Sequence, residues 1–284
     1  MKLTRYHDAE AFRQQVEPFL LQHEAENNLI LGILASLTSA TGMYDFPPYL
    51  AAVDHAGEVV GVSLRTPPFN VLCSLLLPAD RAEIIALFAI DLRAEYGQLP
   101  GVTADAATAH AFAEEWRRLT GEPYRIAIAE RIYQLDRVIP VAGVPGKMRR
   151  ATPADRDLLL EWIIAFQAET ATEGTNPERW VEQALTSDVR SVYLWEDQQP
   201  VAMAGCGGFT VHGARIGPVY TPPSLRGHGY ASACTAALSQ LLLDQGRQFC
   251  FLYTDLSNPT SNKIYQAIGY WSVIDADLYR FGSV

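Results

Sequence analysis

Val219-Tyr220-Thr221-Pro-Pro-Ser-Leu-Arg226-Gly227-His228-Gly229-Tyr230-Ala231 reads as the end of a strand, a glycine-bearing turn and the start of a helix. The first turn of a helix has backbone N–H donors with no intrahelical acceptor, at the positive end of its dipole. Glycines in the turn let an anion approach the backbone closely. The stretch is therefore expected to form a phosphate cradle. Two phosphate-binding patterns are excluded. No Lys-Ser or Lys-Thr follows the second glycine, as a nucleotide P-loop requires, and the glycine order is not the dinucleotide G-x-G-x-x-G.

Downstream, Ser232 to Leu243 has Cys234, Ala237, Leu238, Leu241 and Leu242 spaced for one helical face, with Gly246 as a stop. The apolar, aromatic run Phe249-Cys-Phe-Leu-Tyr-Thr254 then reads as a buried strand. This completes a βαβ unit and puts the cradle at the carboxyl end of its first strand, where open α/β sheets bind ligands. In Asn258-Pro259-Thr-Ser261-Asn262-Lys-Ile-Tyr265-Gln-Ala-Ile-Gly269-Tyr270, Asn258 suits a helix cap and Pro259 the first helical position. Ile264 and Ile268 are expected on one face, Ser261, Asn262 and Tyr265 on another. Taken alone, Asn258 is explained by capping and Tyr265 by a place at the core edge.

The spacing Arg226-x-x-Gly229-x-Ala231 resembles the Q/R-x-x-G-x-G/A pyrophosphate loop of the GNAT family of N-acetyltransferases, which bind acetyl-coenzyme A (acetyl-CoA). The segment from Asn258 through Tyr265 to Gly269-Tyr270 is similar to that family's second signature, an Asn followed by a short Tyr-bearing helix ending in Gly-Phe or Gly-Tyr. The resemblance covers about Met148 to Phe281. It implies an α/β fold with a mixed sheet, acetyl-CoA as cosubstrate and no metal. It also implies cofactor contacts from Val219, Tyr220, Thr221, Arg226, Gly227, His228, Gly229, Tyr230, Ala231, Asn258, Ser261 and Asn262. Tyr265 is implied to be the catalytic acid that protonates the departing thiolate. Arg226 is open to two roles, with pyrophosphate or with a nearby carboxylate, and the His228 side chain is expected to face solvent while its N–H binds. Glu169 and Glu173 lie in Gln167 to Asn176, which borders the acceptor site in such proteins; each taken singly is better explained as a solvated loop charge.

The chain has 284 residues, enough for two domains. The best linker is Asp136-Arg-Val-Ile-Pro140-Val-Ala-Gly143-Val-Pro145-Gly146, which separates an expected domain 1–140 from a second, 147–284. The plan is repeated on either side. Tyr49 to Asp54 and Val59 to Leu64 give a hairpin signal, as do Val192 to Glu196 and Val201 to Ala204. Gly121-Glu-Pro-Tyr124 before Tyr133 parallels Gly269-Tyr270 before Tyr279, with a Tyr-to-Tyr spacing of nine in each. The first copy lacks the cradle. It reads Pro78-Ala-Asp80-Arg-Ala-Glu83-Ile, with no glycine and with two carboxylates that disfavour an anion. Two GNAT-like domains in tandem are thus expected, the first degenerate and without cofactor.

Hydrophobic residues make up 49% and charged residues 19%, the composition of an ordered globular chain. A net charge of −10 disfavours nucleic acid as a partner and suits a cationic amine. Cys73, Cys206, Cys234 and Cys250 sit in apolar runs without C-x-x-C pairs and read as reduced core residues. The polar amino terminus lacks an apolar signal core, and no stretch reaches the length of a membrane span, so a cytoplasmic location is expected. The resulting reading is an acetyltransferase that passes acetyl directly from acetyl-CoA to a primary amine of a small molecule or peptide. Backbone donors near Val219 to Thr221 would polarise the thioester carbonyl. Two alternatives stay open: an acyltransferase with a larger acceptor, such as an aminoacyl chain or a thiol-precursor sugar, and a binding protein for acyl-CoA without turnover.

Overall fold

The structure is a computed structural model that describes residues 1–39, 44–75, 78–170 and 176–282. The first half runs β1 (Lys2–Tyr6), α1 (Ala9–Leu20), α2 (Asn28–Ser39), β2 (Tyr49–His55), β3 (Glu58–Arg65), β4 (Val71–Leu75), α3 (Arg81–Tyr96), β5 (Gly101–Asp105), α4 (Ala106–Thr120) and β6 (Tyr124–Leu135). The second runs β7 (Lys147–Arg150), α5 (Arg156–Thr170), α6 (Pro177–Thr186), β8 (Arg190–Asp197), β9 (Gln199–Gly207), β10 (Gly213–Tyr220), α7 (Tyr230–Asp244), β11 (Phe249–Asp255), α8 (Pro259–Ala267) and β12 (Trp271–Phe281). The second series repeats the first element for element. The repeat seen in the sequence as two hairpins and two Tyr spacings is thus a duplication of the whole plan.

The compact units depart from the expected division into 1–140 and 147–284. One holds Met1–Ile132 together with Asp255–Ser257 and the chain from Val273; the other holds Tyr133–Thr254 with Asn258–Ser272. The cause is an exchange of last strands. Residues Ala276 to Arg280 of β12 pair antiparallel with Asp105 to Gly101 of β5. Tyr279 enters the core of that unit, and Phe281 stacks on Phe112 and Trp116. Asp275 clamps the Arg131 guanidinium at 2.6 and 3.0 Å. Conversely, Tyr133 and Leu135 at the end of β6 are fully buried in the core of the second unit. The linker also belongs there: the Ile139 amide donates to the Ile268 carbonyl, and the Trp195 indole donates to the Pro145 carbonyl.

In the first unit β1 to β4 pair antiparallel in sequence order, and β4 is parallel to β5. The alternation of a strand buried on both faces is clear along β2. Tyr49, Ala51 and Val53 meet Ile84, Phe88, Phe112 and Trp116 of α3 and α4, while Leu50 and Ala52 meet Phe12, Val16, Ile30 and Leu34 of α1 and α2. The second unit repeats the layers. Strands β7 to β10 pair antiparallel in order, and β10 is parallel to β11. Helices α5 and α6 cover Val192, Leu194, Met203 and Tyr220, and α7 and α8 cover Ala204, Cys206, Ala214, Ile216 and Leu252. Each fully buried Val, Leu, Ile, Met or Phe among these stabilises the fold by about 1.5–3 kcal/mol.

Candidate functional site: a glycine turn at the parting of two parallel strands

The site begins with a bulge. The register of β10 on β9 steps from Ile216 opposite Cys206 to Val219 opposite Ala204, so Gly217 and Pro218 share the single partner Gly205. A Cβ on Gly205 would lie 2.8 Å from the Gly217 carbonyl oxygen, which explains glycine there. Beyond the bulge β10 leaves β11. Their parallel pairing is registered at Gly213 with Phe249, Ala214 with Cys250 and Arg215 with Phe251, whereas β10 continues to Tyr220 and β11 to Asp255. The Gly-Pro dipeptide inside a strand is a signal from which sequence reasoning could have found this irregularity. In the first unit β3 and β4 pair without a register shift from Gly61 with Leu75 to Leu64 with Leu72. There Ile84, Leu75 and Phe88 crowd the space over Gly61.

After Thr221 the chain makes a short 3₁₀ turn, Pro223–Leu225, extends through Arg226, and enters α7 through Gly227 and Gly229. These glycines have φ of +85° and +80°, a left-handed backbone that costs other residues about 1–2 kcal/mol. Gly229 is the N-cap of α7, and no side chain among the described residues closes that end. The first-turn amides, with no acceptor in the helix, are what the loop offers a ligand. The hydroxyl of Thr221 is buried and has no hydrogen-bond partner among the described residues.

The polar side chains of the loop hold its shape. Arg226 donates through Nε to the Thr221 carbonyl at 2.9 Å, and through Nη2 to both carboxylate oxygens of Glu169 at 2.7 Å. Of its two sequence roles, the structure shows the carboxylate partner, and it brings Glu169 from the end of α5 to the cradle. His228 is exposed, as expected; its ring lies on Tyr230 at 5.5 Å with Nδ1 3.2 Å from the Leu225 carbonyl. The Tyr230 ring is buried on Val201 and Ala202, and its hydroxyl donates to Asp197 at 2.8 Å. Glu173 lies outside the described residues.

Helix α8 starts on the same carboxyl edge, because β10 and β11 are parallel and α7 and α8 follow them directly. Asn258 caps it by accepting from the Ser261 amide at 3.1 Å, and its carbonyl accepts from the Asn262 side chain at 2.7 Å. The expected faces of α8 need correction. Tyr265 does not share a polar face with Asn262: it is 9% exposed in the core cluster with Leu252 and Ile268, and Ile264 packs against the same cluster. The positions 261, 264, 265 and 268 follow the helical repeat and form one face. Val219 borders this cluster, and Tyr270 sets its ring edge-on to Tyr265 at 6.1 Å. Burial pushes the Tyr265 phenol up to about 12, so it stays protonated at neutral pH. Asn262 instead accepts from the Tyr133 hydroxyl at 3.0 Å, and Gln266 donates to the same oxygen at 3.1 Å.

All four cysteines are free and buried. Burial pushes the thiols up to about 12 for Cys73, Cys234 and Cys250 and about 11 for Cys206, which leaves them unsuited as nucleophiles. Among the described residues no group of His, Cys, Asp and Glu is arranged to hold a metal, and no helix is long and apolar enough to cross a membrane.

Comparison with known proteins agrees with this geometry. A model of the acetyltransferase (GNAT) family matches residues 156–270, from the start of α5 to Tyr270. No curated protein matches the sequence significantly. Among solved structures, the chain is similar to a tandem GNAT protein from the clavulanic acid biosynthesis pathway, with 16% identity, a TM-score of 0.60, and 99% of this chain and 98% of that one covered. It is also similar to a GCN5-related N-acetyltransferase from Sphaerobacter thermophilus, with 16% identity, a TM-score of 0.62 and coverage of 98% and 95%. An acetyltransferase of the GNAT family from Colwellia psychrerythraea gives 15% identity, a TM-score of 0.56 and 99% coverage of both chains. At such identities these likenesses speak for the fold, over nearly the whole length. Residues 156–270 match the acetyltransferase (GNAT) family, and the first half repeats the same order of elements without the glycine turn.

Proposed function

We propose that the second domain binds acetyl-CoA and transfers its acetyl group to a primary amine of a small molecule or peptide. The observation that carries this reading is the uncapped start of α7, entered through two left-handed glycines where β10 and β11 part. The residues fit the group. The amides of Gly227, His228, Gly229, Tyr230 and Ala231 suit a pyrophosphate, and Arg226, fixed by Thr221 and Glu169, holds the loop that presents them. The unpartnered Thr221 hydroxyl is a polar atom in want of a partner beside that loop. Val219, Tyr220 and Thr221, at the end of β10, would supply backbone along the acyl arm, and Asn258, Ser261 and Asn262 at the opening of α8 would be further contacts.

Bound acetyl-CoA supplies a thioester, an acyl group already activated toward a neutral amine. For its part, the chain orients that acyl group at the parted strands, and Tyr265 holds a proton on its phenol oxygen for the departing sulfur. Free thiols throughout and a net charge of −10 support a cytoplasmic location and an acceptor other than nucleic acid.

Calorimetry with acetyl-CoA should find one site per chain, since α3 has Asp80 at the N-cap position that Gly229 holds in α7, and Glu83 in its first turn. Gly229→Val should weaken that binding at least about tenfold, or about 1.4 kcal/mol. A β-branched side chain is strained at this φ, and its Cβ would lie 2.9 Å from Cγ2 of Val144. Circular dichroism should show the variant folded. Unchanged affinity in the folded variant sinks the cradle, and release of free thiol across a panel of amines, amino acids, polyamines, aminoglycosides and peptides tests the transfer itself.

A further inference from the structure

We infer that Tyr133 is a positioning residue for acetyl transfer, so that the last strand of the first half sets the orientation of the helix bearing the acid in the second. The inference rests on the proposed role of Tyr265 and adds to it a residue far from the cradle. Tyr133 lies near the end of β6 and is fully buried. Its hydroxyl donates to Asn262 Oδ1 at 3.0 Å and accepts from Gln266 Nε2 at 3.1 Å. Asn262 and Gln266 are one turn apart on α8, and Tyr265 stands between them in the sequence. Two bonds from one fixed oxygen to successive turns oppose rotation of the helix about its axis.

The rotation matters because α8 is short, Pro259–Ala267; its apolar contacts are not directional, and the bond from the Ile139 amide reaches the Ile268 carbonyl just past its end. A side-chain atom about 5–6 Å from a helix axis moves by about 1 Å for a turn of about 10°. A displacement of about 1 Å at a reacting group can cost about a hundredfold in rate. The apolar part of Tyr133 fills the core whether or not the hydroxyl is present, so the two functions separate in one substitution. The first half, which has no glycine turn of its own, thereby contributes to the chemistry of the second.

The test is Tyr133→Phe in the full-length chain, which keeps the ring and removes both bonds. With an accepted amine, kcat should fall about tenfold while KM for acetyl-CoA stays within about twofold. Hydrogen exchange should quicken at the amides of α8 and remain as in the parent along α7. Gln266→Leu should give part of the same loss, and adding it to Tyr133→Phe should cost nothing more. Unchanged kcat, a loss confined to KM, additive losses or unchanged exchange along α8 would each overturn the inference. A parent protein that binds acetyl-CoA and releases thiol with no amine would overturn the proposed function instead, and exchange along α8 would still decide whether Tyr133 holds that helix.

Discussion

Expressed separately, residues 1–146 and 147–284 will fail to fold, and co-expressed they will assemble into one protein that binds acetyl-CoA. A cut in the linker removes from each compact unit a strand that the chain supplies from the other half. The carboxy-terminal fragment loses Tyr133 and Leu135, both fully buried. The amino-terminal fragment loses Tyr279 and the Phe281 ring stacked on Trp116, and β5 loses its pairing with β12. Each lost large side chain withdraws about 1.5–3 kcal/mol, while a domain holds about 5–15 kcal/mol in all. An unpaired strand left at the edge adds a route to aggregation. Circular dichroism and size-exclusion chromatography of the fragments, alone and together, give the answer. A cooperatively folded 147–284 fragment that binds acetyl-CoA as the whole chain does would show the exchanged strand to be dispensable.

The elements around the cradle were legible because their causes are local. A left-handed backbone selects glycine, an open helix start follows, and Asn258-Pro259 announces the next helix; these signals lie within a few residues of one another. The exchange of β6 and β12 left no such mark, and the reason is the duplication itself. Both strands carry a similar pattern, Tyr133-Gln-Leu135 and Tyr279-Arg-Phe281, and no residue pattern states which sheet receives which strand. The ion pair of Arg226 with Glu169 joins residues 57 apart and was beyond any spacing rule. The faces of α8 depart from the expected ones for a different reason. Tyrosine is amphipathic, so its polar end suggested a polar face, while the position of Tyr265, one and three residues from Ile264 and Ile268, places its ring in the core.

That burial shapes the expected behaviour of Tyr265→Phe, which should lower turnover about 10²–10⁴-fold with affinity for acetyl-CoA near normal. The change removes one oxygen from a side chain whose ring packs among Leu252, Ile268 and Tyr270, so the core and the edge-on contact with Tyr270 are retained. A group serving as an acid must hold its proton until the sulfur departs. Burial pushes this phenol up to about 12, so it is protonated throughout the range in which an amine acceptor is assayed, and the loss in the variant should be the same at pH 7 and at pH 9. A base would behave the opposite way, since at this value almost none of the phenol is ionised at neutral pH. Thiol release with several acceptors, measured beside calorimetric binding, separates the proton from the packing. Strongly nucleophilic amines, for which departure of the thiolate limits the rate least, should show the smallest loss. Full turnover by Tyr265→Phe with every acceptor, alongside an unfolded Tyr265→Ala, would leave Tyr265 a packing residue and require the acid to be another group near the parted ends of β10 and β11.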